Sequence, residues 1–456
     1  MESKNKTTAL IITAIGTFLT SFMVSSVNIA MPSIGRDYNM SAVFLSWVAT
    51  SYLLASAALL LPFGKLGDIH GRKKVFASGT ILFTISSFMC IVSPSSFWLI
   101  LSRVLQGAGS AMIFSTAVAI ITSVFPPHER GKAIGINTGA VYIGLSMGPV
   151  LGGFLVGEFG WRSIFIATIV CGTFVAVLIF LKLKGEWAEA RGERFDLTGT
   201  LIYCASLITL MYGLSGLPDP GGAVFILAGV GGIALFIYWE LKAGNPVLKV
   251  ELFRKNRVFT LSSLSALINY SASFAVVFLM SLYLQYTKRL PPNSAGLILV
   301  SQPVVMAVVA PLAGRLSDRI EPRIVASVGM GFTTFALLML AGLGENTNLI
   351  IVVISLMIMG FGLALFSSPN TNAIMSSVEK KFYGIGSAMV GTMRLLGQML
   401  SMGIATLLFS IYIGEVQITP EYYPMFLASA KMAFTVFAVL CFLGIFSSMA
   451  RGRVRG

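Results

Sequence analysis

Two arginines, Arg103 and Arg394, lie inside long apolar runs where charge is scarce. A guanidinium at such a place is costly and marks either function or a fixed internal bond. Its proton is held too tightly to be passed on. The chemistry open to each is to bind an anionic group, to tune a neighbour, or to bond helix carbonyls as a structural arginine. The chain holds 18 acidic residues and two histidines, and none falls at mid-depth of an apolar run. Asp37, Asp68, Glu158 and Glu240 lie at the ends of runs, and a proton carried by a carboxylate must use groups of that kind. Within the runs sit uncharged candidates for a substrate path: Met23, Asn28, Tyr52, Gln106, Asn137, Tyr142, Asn269, Tyr270, Gln302, Asn370 and Gln398. Each alone reads more readily as helix packing than as ligand contact. As a set with Arg103 and Arg394 they suit an amphipathic, neutral or weakly charged small molecule.

Two glycine patterns could move rather than bind. Gly64-Lys-Leu-Gly-Asp-Ile-His-Gly-Arg-Lys-Lys74 joins two apolar runs, with Gly64, Asp68, Gly71 and Arg72 as its candidate gating residues. Gly314-Arg-Leu-Ser-Asp318 repeats its opening 250 residues later, adding Gly314 and Asp318. The second pattern is Gly144, Gly148, Gly152 and Gly153 with Pro149. Small residues at that spacing let a neighbouring helix backbone approach closely, and the proline removes a donor and bends the helix.

The elements that must carry these residues follow from composition. Of 456 residues, 56% are hydrophobic and 11% charged. Soluble domains carry about 25% charged residues, so this chain cannot clothe a water-facing surface of its size. Four cysteines exclude a disulfide scaffold. Fourteen apolar runs are long enough to span a bilayer, and they lack the alternation of a barrel. With the N-terminus inside, 25 of the 32 Lys and Arg fall in inside segments and five outside. That is the asymmetry expected of a correct span count with both termini cytoplasmic. The net charge of +14 is then a topology signal and a contact with the lipid bilayer, not a nucleic-acid footprint. No phosphate-binding Gly-x-x-x-x-Gly-Lys-Ser/Thr occurs, so ATP is not an expected partner. No His/Asp/Glu or Cys constellation supports an enzyme. No cofactor or metal is expected.

Glycines 107, 109, 131 and 144 recur as 360, 362, 384 and 397. The offset exceeds a six-helix repeat by about one helical hairpin, which the seventh and eighth runs supply. The expected architecture is all-α, 14 spanning helices arranged 6+2+6. Its domains are residues 1–196, an insert and linker at 197–257, and residues 258–456. Parallel repeats of this kind suit alternating access around a midplane site.

The residues also carry a resemblance. Gly64–Lys74 resembles the loop 2–3 signature of the major facilitator superfamily. Trp47-Val-Ala-Thr-Ser-Tyr52 looks like that family's helix 2, and Arg103-Val-Leu-Gln-Gly-Ala-Gly109 like its helix 4 motif. Gly144-Leu-Ser-Met-Gly-Pro-Val-Leu-Gly-Gly153 looks like the helix 5 motif of antiporters. Trp161-Arg162 with Phe165, and Leu252-Phe253 with Asn256 and Phe259, resemble the starts of helices 6 and 9. The resemblance covers the whole chain. With 14 spans it points to the fourteen-helix drug:proton antiporter subfamily. It implies a multi-pass cell-membrane exporter of amphipathic molecules, monomeric, with H+ as coupling ion and Arg103 in a coupling role. There is one departure. The family's helix 1 acid, before Asn-x-Ala-x-Pro, is Met23 here, while Asn28, Ala30 and Pro32 match. That weakens proton coupling. It keeps open an uptake carrier or uniporter for a small, anionic solute held by Arg103.

Overall fold

The computed structural model describes residues 2–126, 129–248, 250–317, 319–378 and 383–452, and among these there is no strand. Fourteen helices are long and apolar enough to cross a membrane. They are α1 (Asn5–Asp37), α2 (Ala42–His70), α3 (Arg72–Ile91), α4 (Ser96–Val124), α5 (Arg130–Phe159), α6 (Arg162–Lys182), α7 (Leu197–Gly216), α8 (Pro220–Glu240), α9 (Arg257–Thr287), α10 (Pro292–Ser317), α11 (Pro322–Ala341), α12 (Leu349–Ser376), α13 (Ala388–Tyr412) and α14 (Pro420–Ala450). Helices dominate because lipid offers backbone groups no partner, so each run must satisfy its own.

Two spans that read as continuous in the sequence are broken. α9 runs as Arg257–Ser273 and Ala275–Leu282, then ends in a π turn at Tyr283–Thr287. The freed Ala275 amide donates to Ser401 Oγ at 2.9 Å. α10 breaks at Val300, just before Pro303, whose ring nitrogen cannot close the helical ladder.

The chain divides into two compact units, Met1–Val27 with Trp47–Gly213 and Val224–Lys249, and Asn28–Ser46 with Leu214–Ala223 and Val250–Gly456. In the first, α2 is the most enclosed helix, with 83% of its central window buried, and α8 the least, with 17%. α7 is held to α2 by Tyr203 Oη donating to Ala57 O at 3.2 Å. α8 packs on α7 where Gly229 meets Leu210 and Gly232 meets Ser206. The outer faces of α6 and α8 expose Phe174, Phe180, Leu181, Leu227 and Val230, as a lipid-facing surface requires.

Each unit uses glycine at matching places. In the first, a methyl on Gly107 would strike Tyr52 O of α2, one on Gly109 would strike Phe83 N of α3, and one on Gly144 would strike the backbone of α1 at Phe18. In the second, the same substitution at Gly360 meets Gln302 O of α10, at Gly362 the backbone of α11 at Gly329, and at Gly397 the backbone of α9 at Leu267. Three of the four repeated glycine pairs are repeated helix contacts, while Gly131 stands in open space.

Candidate functional site

The loop between α2 and α3 is built around a salt-bridged arginine. Arg72 begins α3 and is 6% exposed. Its Nε donates to Asp68 Oδ1 at 2.8 Å, one helical turn back. Its Nη1 reaches Glu189 Oε1 at 2.7 Å, Ser123 Oγ at 2.5 Å and Ala119 O at 3.1 Å. The guanidinium fork suits several acceptors held in one plane. Gly71 has φ +121°, and a side chain there would also overlap the Glu186 carboxylate. Glu186 Oε1 accepts from Lys73 N at 2.9 Å. Two backbone bonds complete the contact, Arg72 N to Trp187 O and Ala190 N to Asp68 O. The segment after α6 is thus clamped on this loop. Glu186 and Glu189 escaped the sequence reading because acids in a charged linker look solvated. Gly64 approaches Ser115 of α4, and Gly314 approaches Ser368 of α12. Asp318 lies outside the described residues.

Arg103 is 1% exposed on α4. Its Nε donates to Val48 O of α2 at 3.0 Å, its Nη1 bonds Gln106 Oε1, and it lies 4.4 Å from the centre of the Tyr52 ring. Gln106 Nε2 passes the chain on to Ser87 Oγ at 2.7 Å. Three helices therefore meet here, α2, α3 and α4, and with them the candidates Tyr52, Arg103 and Gln106.

The glycine run of α5 lies against α1. Gly144 faces Phe18 and Ser21, Gly148 faces Ser25, and Gly152 faces Ser26. Ser25 Oγ donates to Leu145 O at 2.9 Å. Pro149 and Gly153 are buried in the same helix. Asn137 Oδ1 accepts from Thr17 Oγ1 at 3.1 Å, and Met23 is fully buried. Tyr142 is half-buried.

In the second unit, Asn28 is buried and its backbone O accepts from Ser281 Oγ at 2.6 Å. Among the described residues its Oδ1 has no hydrogen-bond partner, and neither do Asn269 Oδ1 and Gln302 Oε1. Tyr270 Oη lies 3.4 Å from Ser367 Oγ. Gln398 is buried and Arg394 half-buried on α13. Asn370 has a partner the sequence did not offer. Arg451, just past α14, is fully buried and its Nη1 donates to Asn370 Oδ1 at 2.7 Å and Ser262 Oγ at 3.2 Å. Burial pulls that guanidinium down to about 10, with Glu321 opposing and Arg323 reinforcing, so it stays charged at neutral pH. Of the carboxylates at span ends, Asp37 and Glu158 are exposed, Asp68 is half-buried, and Glu240 is buried. Among the described residues no group of three His, Cys, Asp or Glu could hold a metal ion.

Comparison with known proteins places this geometry. The chain is 33% identical over 452 residues to the riboflavin transporter RibZ of Clostridioides difficile, covering 97% of this chain and 96% of that one. It is 31% identical over 401 residues to the multidrug resistance protein Stp of Mycobacterium tuberculosis, covering 87% and 74%. Its fold matches a crystal structure of a bacterial homolog of the human lysosomal transporter Spinster, inward-facing and unoccupied, with TM-score 0.71 and 16% identity over 98% and 97% of the two chains. The profile of the Major Facilitator Superfamily matches residues 13–262 and again 262–453. The chain is a multi-pass membrane transporter, not an enzyme, and it belongs to the major facilitator superfamily.

Proposed function

We propose that the protein is a secondary active exporter of neutral, amphipathic small molecules, working by alternating access as a monomer in the cell membrane, with both termini cytoplasmic. The observation that carries this reading is the character of the buried polar groups. They are amides, hydroxyls and phenols, and the deepest charge in the first unit, Arg103, is already bonded to Val48 O and Gln106. An anion would have to displace those bonds. A cation would find no acid at Met23. A neutral solute with a few donors suits buried oxygens left without partners among the described residues, such as those of Asn28, Asn269 and Gln302. The α5 glycine run and Pro149 support the export direction through their likeness to the antiporter motif. H+ is the coupling ion in this reading, and an interfacial carboxylate carries it.

A second reading has its own support. The likeness to RibZ covers nearly the whole of both chains, which favours a flavin-like solute, a neutral amphipath of the proposed class, moved in either direction. Vesicles of both orientations, given riboflavin or a neutral fluorescent dye of similar size from outside, test the two together. Export coupled to protons requires uptake into inside-out vesicles that collapses when the pH gradient is dissipated. Uptake only into right-side-out vesicles, indifferent to pH, overturns the exporter reading in favour of a carrier.

A further inference from the structure

The two-helix insert ends in Glu240, one of the span-end carboxylates named above, and beside it stands a second acid, Asp196, that no transport step above uses. Asp196 caps the start of α7. Its Oδ1 accepts from Gly199 N at 2.9 Å, and its Oδ2 accepts from Trp239 Nε1 at 2.9 Å. Glu240, the last residue of α8, is 3% exposed. Its Oε2 accepts from Leu248 N at 2.9 Å, with the Val247 amide beside it. Its Oε1 is buried and has no hydrogen-bond partner. The two side chains converge on Gly199: a methyl there would overlap Asp196 Oδ2 and lie 2.7 Å from Glu240 Oε1. Only a residue without Cβ leaves room for both oxygens.

We infer that Asp196 and Glu240 form a proton-binding site in which the two carboxyl groups hold one proton between them. The donors decide which group carries it. Asp196 accepts from an amide and an indole N–H and sits at the positive end of a helix. Glu240 has backbone donors on one oxygen only, and its other oxygen lies, like Asp196 Oδ2, against Gly199. Two like charges so placed disfavour double ionisation. A proton on Glu240 Oε1 relieves both costs, since the group then donates toward Asp196 Oδ2. The other charge acting on Glu240 is Lys65 of α2, whose Nζ is paired with Glu193 Oε2 at 2.5 Å. Lys242, two residues on, lies over the Tyr238 ring instead.

Loss of the proton leaves two negative charges between α7 and α8, and these compete with Glu193 for Lys65. Lys65 is part of the loop 64–74, and Glu193 belongs to the segment clamped on it. The insert thereby gains a use: its protonation state reaches the loop that joins α2 to α3. This goes beyond the exporter reading and does not depend on it, because the site is defined by a proton and not by a substrate.

The test is infrared difference spectroscopy on the full-length protein in liposomes, across pH. The wild type is expected to show a protonated carboxyl C=O stretch at neutral pH. Glu240→Gln removes that band and Asp196→Asn weakens it. A wild-type spectrum that carries no such band, or one unchanged by Glu240→Gln, overturns the assignment. A band untouched by Asp196→Asn also overturns it, since the proton would then belong to Glu240 alone. Should Glu240→Gln not fold, the wild-type titration and Asp196→Asn still decide. None of these readouts needs transport, so a failed vesicle assay leaves the result standing, and the reverse holds too.

Discussion

Arg103 illustrates how much a single buried cation depends on its shape. Its Nε serves Val48 O on α2 while Nη1 serves Gln106 on its own helix, and the Tyr52 ring lies 4.4 Å away. Lysine keeps the charge and loses the fork, so Arg103→Lys leaves one of those acceptors unserved and a charge still to desolvate. The expected loss is about 1.5–3 kcal/mol, the value of a hydrogen bond to a charged group, read as a lower unfolding midpoint in detergent. Arg103→Met buries no charge and is expected to cost less. The opposite order would mean that charge, not geometry, holds α2 to α4. This residue was legible in the sequence because charge inside an apolar run stands out. Arg451 was not. A cation just past the last span counts toward topology equally whether it points to water or, as here, folds back to Asn370 and Ser262. Asn370 likewise read as a possible path residue, with nothing in the sequence to name its partner.

At the scale of elements, the seam between α5 and α1 turns a glycine pattern into a measurable difference. At Gly144 an added methyl would lie 2.5 Å from Phe18 O, which cannot yield without moving α1. At Gly131, in the first turn of the same helix, it would meet nothing within 4 Å. Gly144→Ala is therefore expected to cost about 1–3 kcal/mol, as overpacking does. Gly131→Ala is expected to be neutral or to stabilise by about 0.5–1 kcal/mol through helix propensity. Thermal unfolding of both proteins in the same detergent separates them, and equal effects would sink the packing argument. The sequence exposed this seam because the small residues recur at helical spacing on one face. It did not expose the break of α9 at Phe274. No proline or glycine stands there, and hydropathy is blind to a donor taken up by Ser401 from another helix. The break in α10, by contrast, was written in Pro303.

At the scale of the whole molecule, the family profile matches the chain twice, yet the residues that follow the last helix of each half carry different charges. In the first, the segment after α6 brings Glu186 and Glu189 to the Gly71–Arg72 corner. In the second, the residue just past α14 is a cation, Arg451. In the first half the segment is thereby clamped on the Gly71–Arg72 corner. The strength of the clamp is shared among ionic and backbone bonds, and the ion pairs alone are worth little where exposed, as Glu189 is. Removing Arg72 takes away both carboxylate partners at once, along with bonds to Ala119 and Ser123. Arg72→Ala is therefore expected to free the 186–190 segment by about 1.4 kcal/mol, a tenfold rise in amide exchange. The Ala190 amide, bonded to Asp68 O, is the place to read it by hydrogen–deuterium exchange in liposomes. Glu189→Gln, which leaves Asp68 and the backbone bonds intact, is expected to raise exchange there by less. If Arg72→Ala leaves Ala190 exchange at the wild-type rate, the segment is held by its backbone alone. The arginine would then not be what ties it to the loop.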